Sequence, residues 1–156
     1  MGKRLFVSFL WAISGLPAAA TDLAGDAISG EWRCGAPVSS GVSSDEGWDL
    51  AAALQNQTVK INRSEIALPS GVICQIGLAG GQLLRDDNLS WGSNGGLWSD
   101  LGLVPTPKGD YLVMIIPLDC PTDEGPYDLI QQGGHESILI DVGGHVWTPC
   151  FRKLTS

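Results

Sequence analysis

The most constraining feature of this chain is a run of short alternating segments joined by turns too tight for anything but antiparallel pairing. Thr58-Val59-Lys60-Ile61 alternates apolar and polar residues, and Asn62-Arg63 supplies a turn. Glu65-Ile66-Ala67-Leu68 alternates again, Pro69-Ser70-Gly71 turns the chain a second time, and Val72 to Ile76 makes a third strand. Alternation places successive side chains on opposite faces of a sheet. A parallel neighbour needs a crossover of a dozen residues or more, so these connections fix a β-meander. The same logic returns near the C-terminus. Ser137 to Val142 leads into the pair Gly143-Gly144 and then His145-Val146-Trp147-Thr148 towards Phe151, and two glycines supply the positive φ of a primed hairpin turn. That reading sets Val142 opposite His145.

Between these two hairpins, Tyr111 to Ile116 is apolar on both faces, which suits a central strand covered on both sides. Pro117 is expected to end its ladder or put that end at an edge. Ser29 to Cys34 reads as a first strand and Tyr127 to Gln131 as a weaker one. The single helical window is Trp48 to Gln55, with Trp48, Ala51, Ala52 and Gln55 on one face. Pro37 to Gly47 and Gly77 to Lys108 read as loops. Seven or eight strands and one short helix, without internal repeats, predict an all-β domain: a small antiparallel barrel or sandwich.

The segment before this domain reads as an export signal. Lys3 and Arg4 form a basic start, Leu5 to Leu16 an apolar stretch and Pro17 to Ala20 a small-residue cleavage site. The stretch is too short to span a bilayer, which takes about 20 residues. Residues 1–20 are therefore expected to be a secretory signal and 21–156 one domain, periplasmic or secreted after cleavage near Ala20 and without a membrane anchor. The leader carries two of the nine Lys and Arg of the 156-residue chain, so seven remain against 17 Asp and Glu. An excess of ten acids disfavours nucleic acid, whose binding rests on Lys and Arg neutralising phosphates, and anionic membrane surfaces.

Cys34, Cys74, Cys120 and Cys150 all follow the leader, and an even count in an exported domain reads as two disulfides. Three connectivities exist. Cys74–Cys120 with Cys34–Cys150 is preferred, because it ties neighbouring strands and then the first strand to the last. No C-x-x-C occurs, so neither a redox pair nor a zinc knuckle has its local signature.

Gly30-x-Trp32 at the head of the first strand resembles the opening motif of lipocalins and the wider calycin group, small exported barrels that hold apolar ligands. The resemblance implies that Trp32 closes the barrel floor and that Arg152, in the last strand, packs across it. Asp110-Tyr111 is similar to a middle motif of that group, with Gly109 where a threonine is expected. The other reading makes Trp32 a core residue and Arg152 a solvated end.

No hydrolase elbow, P-loop or dinucleotide fingerprint is present. His135 and His145 stand at opposite ends of one strand in the hairpin reading, too far apart to share a metal. Asp86-Asp87-Asn88 invites a calcium reading but fails the EF-hand loop, with Trp91 at position six and Leu97 at position twelve. No catalytic residue, metal or cofactor is therefore expected. Trp91 and Trp98 lie in the glycine-rich segment and supply large amphipathic area, either as a contact surface or folded back to cap an open barrel end. The expected binding residues are Trp91, Trp98, Leu97, Asp86 and Asp87, near the barrel mouth. Two functions follow: a non-enzymatic binding module for a small apolar ligand, or an inhibitor or immunity factor against a secreted cell-wall hydrolase, a basic protein steered by the acidic surface.

Overall fold

A computed structural model describes residues 26–85, 96–121, 125–133 and 136–153. The leader, Trp91, Asp86, Asp87 and His135 lie outside the described residues. Ten strands lie among the described residues: β1 (Gly30–Cys34), β2 (Val38–Ser39), β3 (Thr58–Ile61), β4 (Glu65–Ala67), β5 (Ile73–Ile76), β6 (Gly80–Leu84), β7 (Tyr111–Asp119), β8 (Asp128–Gln132), β9 (Ser137–Asp141) and β10 (Val146–Arg152). Helix α1 (Asp45–Leu54) follows β2, and a 3-10 turn (Trp98–Leu101) follows β6.

All pairings are antiparallel. The order β1-β3-β4-β5-β7-β8-β9-β10 returns to β1 and closes an eight-stranded barrel. The remaining two strands share partners with it. β7 pairs β6 through Tyr111–Ile115 and β5 through Leu118–Asp119. β10 pairs β2 through Val146–Trp147 and β1 through Cys150–Arg152. At each handover sits a proline. Leu118 N–H turns to Tyr127 O, just before β8, at 2.8 Å, so the missing donor of Pro117 faces the gap between β5 and β6. The Pro117 carbonyl accepts Gly77 N–H at 2.8 Å, and Pro149 accepts Gly35 N–H at 2.8 Å in the matching place. The strand therefore runs through Pro117 instead of ending there, because no partner donor is lost.

The disulfides are Cys34–Cys150 and Cys74–Cys120. The first joins residues in register across the β1–β10 closure. The second fastens β5 beside β7, where only two residue pairs hold the seam. Both are compatible with an exported protein, and no helix among the described residues is long and apolar enough to cross a membrane.

The barrel interior is filled. Trp32, Val59, Ile66, Ile116, Leu129, Ile138, Ile140 and Val146 pack into one core with Ala51 and Leu54 of α1. At one end Trp32 donates its indole N–H to Ile28 O at 2.8 Å, and the Arg152 guanidinium carbon lies 4.4 Å from the ring centroid. Arg152 also donates to Ser29 O, Ala27 O and Glu136 Oε2. Gly30 is needed here: its φ is +140°, and a Cβ would stand 3.0 Å from the Arg152 guanidinium.

Three expectations are corrected. The helix begins at Asp45, capped by Ser44, and buries Gly47, Ala51 and Leu54; Trp48 is half-exposed and donates to Ser43 Oγ. The glycine sets this face, since a Cβ at Gly47 would lie 2.5 Å from Gly143 O. The expected loops contain β2, β6 and the 3-10 turn, because pairing to β10 and β7 supplies order that local composition does not. The last hairpin closes over three residues: Val142 N–H bonds Val146 O, and Gly143, Gly144 and His145 all take positive φ. His145 is a turn residue, so it does not face Val142.

Candidate functional site

Strand β7 has two buried faces, and the second one builds the site. Met114 and Ile116 point to the barrel core, while Tyr111 and Val113 belong to a separate cluster on the outer face of the sheet. The same alternation continues across register partners: Ile116 with Leu129 and Ile140 inside, Ile115 with Ile130 and Leu139 outside. Trp147 of β10 joins the outer set.

The chain after β6 comes back to cover this face. Trp98 and Leu101 of the 3-10 turn are 6 % and 5 % exposed and pack with Leu84, Tyr111 and Trp147. Trp98 thus folds back onto the outer side of the sheet. Leu97 remains 46 % exposed beside it.

A buried hydroxyl anchors the cover. Ser40, just past β2, is 1 % exposed and accepts Leu97 N–H at 2.7 Å. Its own proton reaches Asp100 Oδ2 at 2.8 Å or Leu97 O at 3.0 Å. Gly96 passes so close to Ser40 that no Cβ fits. Farther along, the Gln132 side chain grips both backbone groups of Val104.

A groove of about 510 Å³ remains between the cover and the tip of the β9–β10 hairpin. Its apolar walls are Trp98, Trp147, Ile115 and Ile130, and Tyr127 stands at one side. The indole Nε1 atoms of both Trp98 and Trp147 are buried without a hydrogen-bond partner among the described residues. Such orphan donors each cost about 1–3 kcal/mol.

Two carboxylates share the groove. Asp128 of β8 and Asp141 of β9 are register partners, directly opposite on the outer face. Burial raises the pKa of Asp128. Burial raises that of Asp141 as well, and the neighbouring Asp128 charge adds to it; the Gly143 N–H and His145 pull the other way. The Gly143 N–H bonds Asp141 Oδ1 at 2.8 Å. His145 lines the same groove, its ring edge-on to Trp147 at 6.4 Å. Neither aspartate has a Lys or Arg partner among the described residues. Like charges placed directly opposite destabilise a sheet, so this pair costs the fold energy.

A second cleft, of about 560 Å³, lies on the far side of Tyr127 and carries Glu46 and Asp49 of α1. Tyr127, Gly143 and Gly144 line both, so the two hollows flank the hairpin tip. Among the described residues no Lys or Arg lines either of them. No group of His, Cys and carboxylates among the described residues is arranged to hold a metal.

Of the expected binding residues the structure therefore brings Trp98 to the groove and leaves Leu97 at its cover's edge. Sequence reading missed Trp147, Asp128, Asp141 and Tyr127. The signal was present in Tyr127-Asp128 and Asp141: a charge inside an otherwise apolar strand has to face something other than core. Comparison with protein families, curated proteins and solved structures found no match.

Proposed function

We propose that this protein is an exported, non-enzymatic binding module whose ligand occupies the tryptophan-walled groove on the outer face of the sheet. The observation that carries this reading is the groove of about 510 Å³, large enough for a small molecule, walled by Trp98 and Trp147 with Asp128 and Asp141 beside them. In a lipocalin-like reading the Trp32–Arg152 closure is retained, but the filled interior moves the site from the barrel lumen to its outer surface. Titrating tryptophan fluorescence against apolar and saccharide ligands tests the proposal. A response that disappears in Trp98→Phe and Trp147→Phe is expected; a flat response across the panel defeats the small-ligand version. Export itself is tested by sequencing the N-terminus of the extracytoplasmic product, which is expected to begin near Thr21.

The second reading, an inhibitor or immunity factor against a basic secreted hydrolase, draws on Glu46 and Asp49 continuing the acidic lining. Pull-down of cell-wall hydrolases at low and high salt tests it, and absence of binding at both ends it.

A further inference from the structure

We infer that the groove accepts a Lys- or Arg-bearing segment of a basic partner protein, its cationic group placed between Asp128 and Asp141 and the stem of that side chain packed along Trp98 and Trp147. The inference rests on the groove being the binding site and adds what fills it.

The groove sets two opposed carboxylates, with no Lys or Arg partner among the described residues and only His145 beside them, next to two tryptophan walls. A peptide carrying a cationic side chain matches both. The aromatic walls suit the stem of such a side chain, since an Arg or Lys stem packs along apolar surface and its cation is attracted to a tryptophan face. Charge decides against a neutral saccharide. Its hydroxyls would hydrogen-bond the carboxylates but would leave their charge uncompensated in a half-buried site. The second cleft, which shares Tyr127, adds Glu46 and Asp49 nearby, which fits a segment longer than one residue. A formal net charge of −8 on the full chain steers a basic partner towards it.

The test uses the exported chain and three probes read by its own tryptophan emission: the capped peptide Gly-Ser-Arg-Ser-Gly, the same peptide with neutral citrulline for arginine, and cellotriose. The arginine peptide is expected to bind roughly tenfold more tightly than its citrulline analogue at low salt, with the gap closing at high salt. Asp128→Asn and Asp141→Asn are each expected to remove most of that gap. Both variants shed a half-buried charge, and thermal melts verify that they fold. Equal binding of the two peptides, or binding of cellotriose alone, overturns the inference and leaves the groove as a site. Silence from all three probes overturns the groove reading as well.

Discussion

Replacing Ser40 with alanine isolates the contact that fastens the Trp98 segment over the outer face. The hydroxyl accepts one backbone N–H and donates to a carboxylate. A neutral hydrogen bond contributes about 1 kcal/mol and one to a charged group about 1.5–3 kcal/mol. Asp100 keeps a second, longer bond to Leu97 N–H at 3.2 Å, which offsets part of the loss. The net cost is therefore about 2.5 kcal/mol, or roughly a 50- to 100-fold shift towards the undocked segment. Because Ser40 holds a cover and not a barrel strand, the loss should be local. Native-state hydrogen exchange reads it residue by residue. Protection at the Leu97, Asp100 and Gly102 amides is expected to fall by that factor, while Ile130 and Leu139 in the paired strands keep theirs. Unchanged exchange at Leu97 would refute the anchoring role. A uniform loss across β8 and β9 would refute the separation of cover from barrel.

Removing Cys74–Cys120 by paired serine substitution is expected to lower stability by about 4 kcal/mol from its 46-residue separation, and removing Cys34–Cys150 by about 5 kcal/mol from 116, both measured by urea unfolding. Only the first should loosen exchange at Leu118, since it bolts the two-pair seam. Thr148 is fully buried and its hydroxyl has no partner among the described residues, so Thr148→Val is expected to raise stability by about 1 kcal/mol in the same assay. The Asp141 pKa is raised by burial, so the folded chain holds more protons than the unfolded one between the ordinary carboxylate value and the raised one. Stability from this group falls as pH rises through that window, and the full cost applies above it. Asp141→Asn should therefore be more stable than the parent at neutral pH and lose that advantage in acid. Glu31 runs the opposite way, its pKa lowered by Lys153 and Lys60, so the comparison is made against the variant and not against absolute pH.

What the sequence made legible was whatever depended on local period and tight turns. The Thr58–Ile76 meander, the both-faces character of Tyr111–Ile116 and the cysteine pairing could all be read because alternation and short connections leave few choices. The handovers were not legible, since Pro117 and Pro149 look like strand breakers until the partner change that tolerates them is known. The helix face was misplaced because hydrophobicity favoured Trp48, whereas packing selected Gly47 for its lack of a Cβ. The site was hidden for a related reason. Asp128 and Asp141 are distant in sequence, and only register sets them opposite each other.

The two buried faces of β7 to β10 have a consequence for how such a protein diversifies. Alternate residues of the same four strands belong to different problems: one parity packs the barrel core, the other builds the outer cluster and lines the groove. Substitutions confined to the second parity, at positions such as Ile115, Asp128, Ile130, Asp141 and Trp147, leave the inner packing untouched. The barrel can thus be held constant while the groove is reshaped, and a combinatorial library restricted to those positions would vary that surface without re-solving the fold.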